Sequence, residues 1–222
     1  MKSIAKYIDH TLLNAEATKE QIEKLCQEAL KHNFASVCIP PSYVPLAKQL
    51  LQQQEAVKVC TVIGFPLGYN LSRTKAFEAQ QAILLGADEI DMVVNQTMIK
   101  NKDWKGVEND IKEVKIACQD KCLKVILETA HLTNEEIVEV CKIAEIAGAD
   151  FVKTSTGFGK SGASFEAVEC MRSSISDKVK IKASGGIRDT QTAQSYIDLG
   201  ASRIGTSSGV AIVEGTKSNT NY

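Results

Sequence analysis

Two lysines stand where a charged amine is costly. Lys153 lies within residues 151–156 (FVKTST), between a helix-ending Ala-Gly-Ala and a glycine-rich Gly-Phe-Gly. A strand covered on both faces of a parallel sheet reads as a near-continuous apolar run, and a charged amine is expensive to bury in one. The cost falls if the amine is neutral, and a desolvated lysine beside a second cation is a nucleophile suited to forming a Schiff base. Lys182 offers that second cation from the next strand-like segment, KIKASGG. Which of the two would form the imine is left open by the residues themselves.

The elements that must position this pair alternate along the chain. Strand-like segments fall at residues 7–11, 35–40, 57–65, 89–95, 124–129, 151–156, 180–184 and 203–207. Helical periodicity or start signals fill the intervals. Thr18 opens a helix with apolar residues at 22, 25, 26, 29 and 30. Further helices are expected from Ser42 through residue 53, from Ser72 to Gly86, and over about 20 residues ending near Cys118. Thr133 and Glu136 form a capping box for the next, and Ser164 and Thr190 start two more. LGADEIDMV, AGADFVKTS and LGASRIGTS repeat one helix-Gly-Ala-strand unit at glycines 86, 148 and 200. Eight such units predict an α/β fold, a (β/α)8 TIM barrel spanning residues 1–215, with a flexible tail over 216–222. The competing open, doubly wound sheet is weakened by the lack of a GxGxxG turn after the first strand.

Active sites of β/α barrels lie at the C-terminal ends of the strands. Polar residues there are Asp9, Thr11, Asp91, Asn95, Glu128, Lys153, Thr154, Thr156, Lys182, Ser184, Thr206, Ser207 and Ser208. So many on apolar strands are poor core material; the competing reading is a purely structural buried ion network. Gly185-Gly186 and Gly205-Thr206-Ser207-Ser208-Gly209 follow the seventh strand and span the end of the eighth, where barrels often bind phosphate. Gly157 and Gly159 could close that end from the sixth strand.

The formal net charge of −1 argues against a broad nucleic-acid surface, and no apolar run nears the roughly 20 residues needed to span a bilayer. The first ten residues lack a signal-peptide core, so the expected location is the cytoplasm. Seven irregularly spaced cysteines (26, 38, 60, 118, 122, 141 and 170) suggest neither disulfides nor zinc. Cys38 and Cys60 read as core. His10, His32 and His131 are not spaced as metal ligands, and Trp104 reads as a packing residue.

Seven stretches carry a more specific signal: IDHTLL (8–13), VCTVIGFPLG (59–68), GADEIDMVVN (86–95), KVILET (124–129), GADFVKTSTGFG (148–159), KASGGIRD (182–189) and RIGTSSGV (203–210). Together they are spread from residue 8 to residue 210, and in them the chain resembles the short bacterial deoxyribose-phosphate aldolases. The resemblance implies reversible cleavage of 2-deoxyribose 5-phosphate to glyceraldehyde 3-phosphate and acetaldehyde, by a class I mechanism with no metal and no cofactor. It implies that Lys153 forms the Schiff base, that Lys182 lowers its partner's pKa, and that Asp91 relays protons with Lys182. Asp9 and Thr11 would orient the sugar hydroxyl and support the relay. Gly157, Gly185, Gly186, Ser207 and Ser208 would contact phosphate. The family often ends in a tyrosine that assists enamine protonation, which gives Tyr222 a lid-like role.

Pro40 and Ala130-His131 depart from the family's usual residues, away from the lysines and Asp91. The expected partners are a small phosphosugar and further copies of the chain, as a dimer or tetramer, with no nucleic acid and no membrane. Two other readings compete: an isomerase or synthase barrel working through carboxylates alone, and a non-catalytic phosphosugar-binding barrel. Neither needs the Lys153–Lys182 pair.

Overall fold

The computed structural model describes residues 3–52 and 56–216. Its strands are β1 (Ile8–Thr11), β2 (Ser36–Ile39), β3 (Lys58–Ile63), β4 (Glu89–Val93), β5 (Cys122–Ile126), β6 (Phe151–Lys153), β7 (Lys180–Ser184) and β8 (Ala201–Thr206). Each runs parallel to the next, and β8 pairs with β1 to close the barrel. The surrounding helices are α1 (Lys19–His32), α2 (Val44–Leu51), α3 (Ser72–Leu84), α4 (Gln96–Lys100), α5 (Trp104–Cys118), α6 (Asn134–Ile146), α7 (Phe165–Ser174), α8 (Thr190–Asp198) and α9 (Gly209–Glu214). Among the described residues no helix is long and apolar enough to cross a membrane.

Side chains alternate across each strand, and here the alternation separates two environments. Ile8, Val37, Val59, Ile90, Val125, Val152, Ile181 and Ile204 share one buried core with Ile22, Ala79, Ile111, Val140 and Val168 of the helices. Each such Val or Ile side chain stabilises the fold by roughly 1.5–3 kcal/mol. The neighbouring positions on the same strands carry Asp9, Asp91, Lys124, Lys153, Lys182 and Arg203. The helices thus hold the barrel from outside and leave its interior for charge.

Local signals fix the ends. Thr18 and Thr133 form capping boxes with Gln21 and Glu136, and Ser164 and Asp189 cap α7 and α8. The three repeat glycines have φ of +112°, +85° and +100°, a region that favours residues without a Cβ.

Several boundaries differ from the sequence-based expectation. The helix expected from Ser42 begins instead as a 3₁₀ turn, Pro41–Tyr43, and α2 ends at Leu51. The long helix expected before Cys118 is two, α4 and α5. The chain breaks where Lys102 takes φ +56° and Asp103 caps α5 through Gly106 N–H. The sixth strand stops at Lys153 rather than at residue 156; beyond it the Thr154 and Thr156 hydroxyls donate to Ser184 O and Glu128 Oε2.

Candidate active site

Strand register assembles the charged interior. Lys153 on β6 is the in-register neighbour of Lys182 on β7, and Asp91 on β4 is that of Lys124 on β5. Asp91 is the hub. Its Oδ2 accepts from Lys153 Nζ and Lys182 Nζ, each at 2.8 Å. Its Oδ1 accepts from Lys124 Nζ at 2.8 Å and from the Cys60 thiol at 3.1 Å. Lys182 also reaches Asp9 at 2.6 Å, and Lys124 reaches Glu89 at 2.6 Å. Arg203 bridges Asp9 and Glu89 from below.

Four cationic side chains therefore meet three carboxylates in the barrel interior, an excess of one positive charge when all are ionised. The excess is not evenly shared. Lys124, Lys182 and Arg203 are each held by two carboxylates, and Lys153 by one. Burial alone would push the Asp91 carboxyl up, but Lys124, Lys153 and Lys182 hold it well below the ordinary carboxylate range. Asp9 is likewise depressed, burial being outweighed by Arg203, Lys182 and Lys124. Lys182 and Lys124 move the other way: burial opposes their charge, but Asp9 and Asp91 (for Lys182) and Asp91 and Glu89 (for Lys124) raise them.

These shifts give a pH prediction. A carboxylate depressed by folding stabilises the native state above its unfolded value, and that contribution is lost as pH falls through the folded value. Asp9 and Asp91 both lie below the ordinary 3.8. Stability measured by thermal melting should hold at mildly acidic pH and fall as the pH drops below about 4. A melting temperature that rose on acidification below that point would contradict this assignment.

A pocket of about 210 Å³ opens at the C-terminal ends of the strands. Lys153, Thr11, Ser184 and Gly205 line it from the barrel, and Thr156, Gly157, Gly159, Gly185, Gly186, Arg188 and Ser207 from the loops. Among its lining residues Lys153 and Arg188 are cationic and none is acidic. The loops after β6 and β7 meet backbone to backbone: a Cβ on Gly162 would lie 2.1 Å from Gly185 O.

Lys153, Lys182, Asp91 and Asp9 come together, but only Lys153 of the four lines the pocket. Thr11 lines it while its hydroxyl donates to Asp9 O at 2.8 Å. Of the phosphate candidates, Gly157, Gly185, Gly186 and Ser207 line it. Ser208 does not: it is buried, and its N–H donates to Thr206 Oγ1 at 2.9 Å. Asn95 caps α4. Tyr222 lies outside the described residues.

The sequence reading passed over four residues. Lys124, Glu89 and Arg203 complete the interior network, and Arg188 adds a cation to the pocket. Period-two spacing could have found two of these, since Glu89 precedes Asp91 and Lys124 precedes Glu128 at even intervals. Cys60, read as core, is core that touches Asp91. Cys38, Cys60 and Asp91 place one donor atom each within 4.8 Å of one another. Lys124 Nζ, 3.4 Å from Cys60 Sγ, and the surrounding positive excess disfavour a metal ion there.

An amine at the floor of a closed β/α barrel, backed by a carboxylate and a second lysine, defines an imine-forming enzyme of the class I aldolase type. Residues 3–215 match the DeoC/LacD family aldolases, and the chain belongs to that family. It is 55% identical over 216 residues to the deoxyribose-phosphate aldolase of Histophilus somni, covering 97% of this chain and 96% of that one. It is 54% identical over 222 residues to the deoxyribose-phosphate aldolase of Clostridium perfringens, covering 100% and 99%. The solved deoxyribose phosphate aldolase of Aeropyrum pernix, described as a unique tetramer, superposes with a TM-score of 0.88 at 34% identity, covering 95% of this chain and 89% of that one. The barrel and the family expected from the sequence are those found.

Proposed function

We propose that the enzyme reversibly cleaves 2-deoxy-D-ribose 5-phosphate to D-glyceraldehyde 3-phosphate and acetaldehyde through an imine on Lys153. One observation carries the assignment of the nucleophile. Of the four cations in the network around Asp91, Asp9 and Glu89, Lys153 is the one that lines the pocket, and the one held by a single carboxylate. Once it has given up its proton, the amine attacks C1 of the open-chain sugar, and the carbinolamine loses water to give the imine. Removal of the C3 hydroxyl proton lets the C2–C3 bond break, its electrons passing into the imine to form an enamine. Glyceraldehyde 3-phosphate leaves, C2 is protonated, and water releases acetaldehyde and the free lysine. Asp91, whose Oδ2 touches both amines, is suited to pass protons between Lys153 and Lys182. Asp9 fixes Lys182, and Thr11 faces the sugar.

The phosphate would sit among Gly157, Gly185, Gly186 and Ser207, beside Arg188, and Ser208 would order the turn behind them. This anchor is remote from the reacting carbon, so its binding energy serves positioning. Ser207→Asp is expected to lower kcat/KM for the phosphorylated sugar by about tenfold or more beyond any loss on free deoxyribose, since 1.4 kcal/mol of repulsion suffices. An equal loss on both substrates would place Ser207 away from the phosphate.

The reading is tested by borohydride reduction in the presence of acetaldehyde, followed by peptide mass spectrometry. The expected adduct is on Lys153. An adduct on Lys182 would reverse the lysine roles, and none on either would remove the imine mechanism. Acting on a small phosphosugar in the cytoplasm, the enzyme would work as a homo-oligomer, dimer or tetramer; the tetrameric Aeropyrum pernix relative supports this.

A further inference from the structure

One buried carboxylate has no part in the chemistry above. Glu128 follows β5, is 4% exposed, and holds φ +54°, a left-handed conformation uncommon for residues other than glycine. Its Oε2 accepts two hydrogen bonds from a single residue, the Thr156 N–H at 3.1 Å and the Thr156 hydroxyl. Thr156 Oγ1 accepts in turn from Phe158 N–H at 3.0 Å. Gly159 rests against the same carboxylate, where a Cβ would come within 2.9 Å of it. Residues 156–159 thus fold around one side chain, and Thr156, Gly157 and Gly159 line the pocket. A backbone bond from Thr129 N to Thr154 O, 2.9 Å, ties the two strand ends together.

A residue placed for stability alone would look different. Glu128 Oε1 is buried and meets no donor among the described residues, and an unsatisfied buried acceptor is destabilising. Backbone strain and an unpaired oxygen at one residue beside a pocket are costs that persist where function needs them. The gain is control of a loop that its glycines would otherwise leave with many conformations. Charge-assisted hydrogen bonds are stronger than neutral ones, so a carboxylate suits that task.

We infer that Glu128 is a positioning residue: its carboxylate shapes residues 156–159, and through them selects for the phosphate end of the substrate without touching it. This rests on the aldolase reading above. Lys153 sits on the barrel strand itself, so loosening the loop leaves the amine in place and weakens only the grip on phosphate.

The test compares wild type, Glu128→Ala and Glu128→Gln in steady-state kinetics on 2-deoxyribose 5-phosphate and on free 2-deoxyribose, with borohydride trapping of acetaldehyde. Glu128→Ala is expected to raise KM for the phosphorylated sugar about tenfold or more, with KM for the free sugar and trapping at Lys153 both within about twofold. Glu128→Gln keeps an acceptor oxygen without the charge and should fall between wild type and Glu128→Ala. An unmoved ratio of the two KM values, or equal losses on both sugars, would overturn the role given to Glu128. If Glu128→Ala does not fold, the same ratio in Glu128→Gln decides. A wild type that traps no adduct marks a failure of the aldolase reading, whereas a wild type that traps, with the ratio unmoved in the variants, marks a failure of this inference alone.

Discussion

Lys153→Ala is expected to abolish acetaldehyde trapping and to lower kcat/KM by about 10⁴-fold or more, because the covalent path is lost from a class of catalyst whose acceleration is at least about 10⁶. Lys182 cannot take over. It is fully buried, with Asp9 at 2.6 Å and Asp91 at 2.8 Å, and it does not reach the pocket. The same substitution should leave the melting temperature unchanged or raise it. Removing Lys153 takes away the excess positive charge of the interior, and Asp91 keeps Lys124 and Lys182 as partners. Function here opposes stability, as at other sites that hold groups in unfavourable surroundings. Residual trapping in the variant, or a clear drop in melting temperature, would show that the nucleophile or the charge balance has been misassigned.

How much of this could be read from the residues differs by level. The barrel was legible because its units repeat, with a glycine at each helix end and an apolar strand after it. Lys153 and Lys182 were legible because an amine in a buried strand is conspicuous. The network around them was not. Arg203 looks like a surface residue in LGASRIGTS, and only closure of β8 onto β1 brings it to Asp9. Lys124 opens its expected segment and reads as a strand-end charge. Its place inside the barrel depends on β5 starting at Cys122 and on its register with Asp91. Ser208 is hard to read for a different reason. Its neighbour Ser207 lines the pocket, but the turn into α9 directs Ser208 inward, a rotation that composition does not encode. The split between α4 and α5 hung on Lys102 adopting a positive φ, which few sequences announce.

Asp91→Asn should have the opposite effect on stability and a comparable direction in activity. Asp91 Oδ2 faces two ammonium donors and Oδ1 faces a third with a thiol. An asparagine removes one negative charge, so the positive excess of the interior grows from one to two. It also replaces an acceptor on one side with an amide N–H that must point at donors. Breaking a buried ion pair by removing one partner costs about 3–5 kcal/mol. For a chain of this size each kcal/mol shifts melting by roughly 2–4 °C, so a drop of the order of 10 °C is expected. Loss of the proton carrier between the lysines should lower kcat by about 10²–10⁴-fold, the range for general acid–base groups. Combining the change with Lys153→Ala supplies the decisive comparison. If the instability of Asp91→Asn is uncompensated charge, deleting one cation should restore part of it, and the double variant should melt above Asp91→Asn alone. Simple additivity of the two changes, with no coupling between them, would mean that packing around the carboxylate holds the cluster and its charge does not.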